Sequence, residues 1–208
     1  PNMQAAMERL LKAREAGESL LVFGDYDVDG VTSTTLLMDF LAAHGWKVDC
    51  YLPHRLDEGY GLSPEGLENC LQHHEVKVLL AVDCGSTSAD SVAWLVERGI
   101  DVLILDHHQV SDPAPNAAAL VNPQLGGEGG AFQELCSAGL AFKLIHALVK
   151  QGRASGEAMW EDVDIRPYLD LVALGTIADL VPLVDENRVL VPAGLKRLNE
   201  TDRPGLKA

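Results

Sequence analysis

Asp25, Asp27 and Asp29 stand on alternate residues of Gly24-Asp25-Tyr26-Asp27-Val28-Asp29-Gly30, directly behind the apolar run Leu20-Leu21-Val22-Phe23. Three carboxylates this close repel one another, and burying them is costly unless a cation neutralises them. Hard divalent metals do that, and carboxylate oxygens are the ligands such ions take. An acidic surface turn is the plain alternative. Against it stand Asp83, behind the apolar run 77–82, and Asp106-His107-His108, behind the run 101–105. Three strand ends that each deliver Asp or His predict a polynuclear metal site.

Alternate side chains of an extended segment share a side, which would put Asp25, Asp27 and Asp29 on one side of their loop. Gly30 then lets the backbone turn into the following helix, whose N-terminus favours an anion such as phosphate. Asp83 reaches the same volume from another strand, with Gly85 allowing close backbone approach. His107 supplies an imidazole nitrogen that softens the site toward manganese, and Asp106 is placed to orient a histidine. Two metals ~3.5–4 Å apart, bridged by a carboxylate, would clamp both oxygens of an in-line phosphoryl displacement. No nucleophilic side chain is then required, and Cys84, Ser86 and Thr87 form no triad. Asp179, at the end of an apolar helix ahead of Pro182, reads from spacing alone as an exposed acid.

The elements that must position these residues follow from periodicity. Helices are expected over Met3–Ala16 (closed by Gly17), Val31–His44, Ser63 to about His74, and Ser91–Arg98. Ser63-Pro64-Glu65 combines an N-cap, a proline at the first position and an acid in the first turn. Strands are expected over Leu20–Phe23, Lys47–Leu52, Lys77–Val82, Asp101–Leu105 and Ala118–Val121. Near-continuous apolar strands alternating with amphipathic helices predict an α/β fold: a doubly wound five-stranded parallel sheet covered on both faces. In the order 2-1-3-4-5 the acid-bearing first, third and fourth strands are neighbours. Ligands bind outside the carboxyl ends of such strands, where the order reverses. Beyond the glycine-rich stretch Gly126–Gly130, helices are expected over Ser137–Lys150, Tyr168–Leu180 and Glu186–Asn199. The chain thus divides into a parallel α/β part, 1–125, and a mainly helical continuation, 126–208.

Composition narrows the partners. Sixteen Lys and Arg face 31 Asp and Glu, a net charge of −15, an awkward balance for a protein whose whole surface grips nucleic acid. Any DNA contact needs a confined basic patch. Cys50, Cys70, Cys84 and Cys136 form no CxxC pair, as expected of reduced thiols in a cytoplasmic protein. No apolar run approaches the ~20 residues that span a bilayer, and neither a membrane partner nor a signal peptide is expected. His44, His54, His73 and His74 lie outside the constellation, and Trp46, Trp94 and Trp160 are scattered as packing residues are. The terminal Arg203-Pro204-Gly205-Leu206-Lys207-Ala208 carries no cap, as in a piece of something longer.

Asp27-Val28-Asp29, Val82-Asp83-Cys84-Gly85, Asp106-His107-His108 and Gly175-Thr176-Ile177-Ala178-Asp179 resemble the four motifs of the DHH phosphoesterase superfamily. Gly24–Gly30, Asp57–Ser63, Leu169–Leu183, Asn187-Arg188 and Arg203-Pro204-Gly205 further resemble its bacterial single-strand-specific 5′-to-3′ exonucleases. The resemblance implies two Mn²⁺ or Mg²⁺ ions, with Asp83 bridging them, Asp25 and Asp27 serving one, and Asp29, His107 and Asp179 the other. It reverses the spacing-only reading of Asp179. His108 would contact the scissile phosphate or assist ligation, and Arg55 and Arg188 are candidate phosphate contacts. It implies hydrolysis of single-stranded DNA to 5′-mononucleotides in repair and recombination, with a single-strand-binding protein and a helicase as partners of regions outside this chain. Phe23 stands where the pyrophosphatase branch has histidine. The DHH-associated and OB-fold domains of longer members do not fit in this length, so the catalytic domain alone is expected. Rival expectations are a phosphodiesterase for short oligonucleotides or cyclic dinucleotides, and a catalytically silent scaffold subunit.

Overall fold

A computed structural model describes residues 2–126 and 133–207. The chain runs α1 (Met3–Ala16), β1 (Ser19–Gly24), α2 (Val28–Ala43), β2 (Lys47–Tyr51), α3 (Pro64–His73), β3 (Val78–Val82), α4 (Ala89–Glu97), β4 (Asp101–Leu105) and β5 (Ala119–Val121). It continues with α5 (Ser137–Ser155), α6 (Leu169–Ala178), α7 (Asn187–Leu198) and the short α8 (Pro204–Lys207). The five strands are all parallel, in the order β2-β1-β3-β4-β5. The doubly wound sheet predicted from the apolar runs is the one observed.

Both faces of the sheet are covered, and the two-residue period of a strand divides its side chains between them. Leu20, Val22, Val78, Leu80, Val82, Leu103 and Leu105 pack against α1, α2, α5 and α6. Leu21, Phe23, Leu79, Ala81, Val102 and Ile104 pack with α3 and α4 on the other side. Trp160 is fully buried on the first face, its indole stacked on His44 at 5.2 Å and edge-on to Trp46 at 6.3 Å. Trp46 and Trp160 are packing residues, as expected, and His44 stacks on Trp160 away from the acids.

Several boundaries differ from expectation, each for a local reason. Helix α2 begins at Val28, three residues early, because the Asp27 carboxylate caps it by accepting from the Gly30 amide at 2.9 Å. Asp29 and Gly30 therefore lie in the first turn of a helix, not on an extended loop. Helix α5 continues to Ser155 and ends at Gly156 in the left-handed conformation. Residues 166–168 form a 3-10 turn ahead of α6, and α8 was not foreseen. Ser63 caps α3 as expected, accepting from Gly66 N at 3.1 Å. Of the predicted glycine-rich loop, Gly127 to Gly130 lie outside the described residues.

Candidate metal centre

The C-terminal ends of β1, β3 and β4 open onto one point, and each delivers acids or histidines there. Asp25 follows β1 directly and is 1% exposed. The loop from Asp25 into α2 is so tight that a Cβ on Gly30 would strike the backbone of Asp25. Asp83 follows β3 with a positive φ of 63°, an uncommon conformation for a residue with a side chain. Its amide donates to Leu105 O at 3.1 Å, which anchors this strained corner to β4.

His107 stands at the centre. Its Nε2 lies 3.4 Å from Asp83 Oδ1, 3.6 Å from Asp179 Oδ2 and 3.8 Å from Asp29 Oδ2. Potential ligand atoms gather in three overlapping groups: Asp25, Asp27 and Asp83; Asp29, His107 and Asp179; Asp83, His107 and His108. Burial pushes the carboxyls of Asp83, Asp25 and Asp179 upward, and neighbouring acids add to it: Asp29 and Asp27 for Asp83, Asp27 for Asp25, and Asp29 and Asp27 for Asp179. A site that makes its own ligands this reluctant to ionise calls for a cation. Two buried atoms support the same fit: among the described residues, His107 Nε2 and Asp25 Oδ1 find no hydrogen-bond partner. The donor set of carboxylate oxygens and imidazole suits Mn²⁺ or Mg²⁺.

Asp29 is held differently from its neighbours. Its Oδ2 accepts from the Ser137 amide at 2.7 Å and its Oδ1 from the Ala138 amide at 2.9 Å, both at the N-terminus of α5. The positive end of that helix offsets the buried charge. Asp106 gathers donors too: His107 N at 2.8 Å, His108 N at 3.2 Å and His108 Nδ1 at 2.8 Å on Oδ1, with Ser86 N at 3.0 Å on Oδ2. Burial opposes its charge, but these bonds hold the Asp106 carboxyl down at about 2. The Asp106 bond in turn raises His108 above its ordinary value. The histidine that Asp106 orients is thus His108.

Asp179 corrects the reading from spacing. Its side chain is only 19% exposed and faces His107, because α6 packs closely on α2. Gly175 permits that approach: a Cβ there would lie 2.8 Å from Asp29 Oδ1 and 2.6 Å from Thr32 Oγ1. Arg55 is exposed, its guanidinium 5.1 Å from the centre of the Tyr26 ring. Arg188 is exposed in the first turn of α7, and among the described residues its side chain makes no hydrogen bond or ion pair. His54 pairs with Asp57 and His74 with Asp49, away from the cluster.

Two residues escaped sequence reasoning. Ser137 donates through Oγ to Asp83 Oδ1 at 3.0 Å. The small run Cys136-Ser137-Ala138-Gly139 at a helix start is the only sign of it in the sequence. Tyr60 lies edge-on to His108 at 6.5 Å and to Tyr26 at 6.2 Å. Its loop is anchored by Glu58, which accepts from Tyr51 Oη, from His54 N at 2.6 Å and from Asn69 Nδ2 at 2.6 Å.

A parallel sheet in this order, with Asp and His clustered at three adjacent strand ends and an aspartate from a following helix, defines a DHH-type domain. The chain belongs to the DHH family, whose N-terminal domain model matches residues 19–176. It is similar to the single-stranded-DNA-specific exonuclease RecJ of Bacillus subtilis, 40% identical over 205 residues covering 99% of this chain and 24% of that protein. RecJ of Escherichia coli is 36% identical over 214 residues, covering 99% of this chain and 36% of that protein. Among solved structures, exonuclease RecJ bound to manganese superposes with a TM-score of 0.85 at 35% identity, over 99% of this chain and 50% of that one. RecJ of Thermus thermophilus in complex with Mn²⁺ gives 0.81 at 32% identity, over 99% and 28%. The chain thus spans between 24% and 36% of the length of the two curated relatives.

Proposed function

We propose that this domain is the hydrolytic part of a metal-dependent exonuclease that removes 5′-mononucleotides from single-stranded DNA during repair and recombination. The observation that carries the reading is the convergence of Asp29, Asp83 and Asp179 on the unpartnered Nε2 of His107. Asp25 and Asp27 would hold one Mn²⁺ or Mg²⁺ ion, and Asp29, His107 and Asp179 the other, with Asp83 placed to serve both. The grouping of ligand atoms, with Asp83 common to the Asp25–Asp27 group and the His107–His108 group, supports this assignment. Two such ions, when bound, would supply Lewis acidity at the phosphate and a lowered water pKa at neutral pH.

The chain's own residues do the rest. His108, raised in pKa and fixed through Nδ1 by Asp106, presents its Nε2 to donate to a non-bridging oxygen of the scissile phosphate. Arg55 and Arg188 are the proposed phosphate contacts, exposed cations in a chain of net charge −15. A single-strand-binding protein and a helicase are proposed as partners of segments that this chain does not span. The free cysteines fit a cytoplasmic location. Among the described residues no helix is long and apolar enough to cross a membrane.

The test is hydrolysis of 5′-labelled single-stranded DNA, beside a duplex and a dinucleotide, with Mn²⁺ and with chelator. Labelled mononucleotide from the single strand, lost with chelator, is expected. Cleavage of the dinucleotide alone would move the activity to short substrates. Metal binding without any cleavage would place the deficit in segments that this chain does not span, and neither metal binding nor cleavage would favour a silent subunit.

A further inference from the structure

Helix α5 meets the cluster with its first turn, and Ser137 at its first helical position contacts two acids at once. Its amide donates to Asp29 Oδ2 at 2.7 Å, and its hydroxyl to Asp83 Oδ1 at 3.0 Å. Asp29 belongs to α2 and Asp83 follows the end of β3, so one buried residue of α5 ties a helix and a strand end together. We propose that Ser137 is a positioning residue of the metal centre, fixing the carboxylate plane of Asp83 relative to Asp29. The proposal rests on the two-metal reading above.

Local structure gives the serine no other task. Cys136, not Ser137, occupies the N-cap of α5, and no side chain caps this helix. A serine is an indifferent helix former, and inside a helix its hydroxyl ordinarily turns to the backbone. Here it is spent on a carboxylate 54 residues away in sequence. The χ2 torsion of an aspartate is a broad, soft coordinate, so an unrestrained Asp83 would sample many orientations. Its left-handed backbone fixes where the side chain starts but not how the carboxylate is rotated. A hydroxyl on one lone pair of Oδ1 sets that rotation and leaves the remaining lone pairs for ligation.

The platform that carries Ser137 is itself braced against the helix that supplies Asp179. Asn187 Nδ2 donates to Glu134 O at 2.6 Å and to Pro182 O at 3.0 Å, joining the approach to α5 to the turn behind Asp179. Lys143 pairs with Glu186 at 2.7 Å, and Cys136 Sγ lies 3.4 Å from Thr176 Oγ1. The start of α5 therefore registers Asp29, Asp83 and Asp179 together.

The test is Ser137→Ala, which keeps the amide and removes the hydroxyl, measured by Mn²⁺ titration with electron paramagnetic resonance on the whole chain. Ser33→Ala is the control, since its equally buried hydroxyl bonds only the backbone oxygen of Asp29. The expected result is Mn²⁺ affinity weaker by about tenfold in Ser137→Ala, as for other residues that orient metal ligands. Its spin-coupled two-manganese signal should weaken at equal occupancy, while its melting in chelator matches the Ser33→Ala control. Unchanged affinity and coupling, or an equal loss in both variants, would overturn the positioning role alone. Absence of Mn²⁺ binding by the unaltered chain would overturn the proposed function with it.

Discussion

The Nε2 of His107 lies 3.6 Å from Oδ2 of Asp179, although the first residue follows β4 and the second closes α6. A histidine and an acid so placed, with no hydrogen bond made by that nitrogen, are arranged to share a cation. Asp179→Asn should therefore remove one ion and leave the other. We expect one Mn²⁺ bound per chain where the unaltered protein binds two, and hydrolysis slower by on the order of 10²-fold. Equilibrium dialysis with metal analysis checks the count.

Asp83 is common to two ligand groups, so its loss should be felt twice. Asp83→Ala is expected to lower hydrolysis by roughly 10³-fold or more and to weaken both ions. Loss of a single ion, with the second bound as tightly as before, would contradict a shared role for Asp83.

The metal-free domain should become less stable as pH rises. Asp25, Asp83 and Asp179 have carboxyls raised by burial, and a raised carboxyl stabilises the fold below its ordinary pKa and loses that contribution as pH climbs through the folded value. Denaturation in chelator should thus show stability falling from about pH 4 upward. Saturating Mn²⁺ should cancel the decline, adding about 2.7 kcal/mol at a hundredfold excess over Kd. Equal pH slopes with and without Mn²⁺ would argue that no ion meets these acids.

Glu58 anchors the loop that carries Arg55 and Tyr60, and its pKa is lowered although burial opposes this, because Tyr51, Asn69 and the His54 amide all donate to it. Its contribution is present above its ordinary pKa of 4.5 and lost as pH falls. The Tyr51 hydroxyl, pushed up to about 12, gives a contribution that is intact below pH 10 and lost as pH rises through 12. Glu58→Gln should cost about 1–3 kcal/mol and raise KM for single-stranded DNA more than it lowers kcat. Denaturation and steady-state kinetics on the same preparation measure both.

The sheet was legible because its strands are uninterrupted apolar runs, and order 2-1-3-4-5 made neighbours of the three strand ends that carry acids. The Met3–Ala16 helix and the Ser63 cap carry local signals and were equally plain. Asp179 was not legible from spacing, because what buries it is Gly175 against α2, a contact between distant segments. The place of Asp29 was misread for a related reason: Asp27 caps α2 early and turns an alternating strand-like pattern into a helix start. Ser137 was invisible because a serine at a helix start has many uses, and only the folded chain brings Asp83 to its hydroxyl. Helix α5 runs past Lys150 to a stop at Gly156, and there the Trp160 indole packs on Gly152, a contact that local periodicity does not encode.

Crystals of the chain grown with MnCl₂ and measured at the manganese absorption edge would test the two-ion centre most directly. Two anomalous peaks ~3.5–4 Å apart are expected, with Asp83 between them and His107 on one. One peak, or none within the Asp25–Asp83–Asp179 cluster at saturating Mn²⁺, would contradict it.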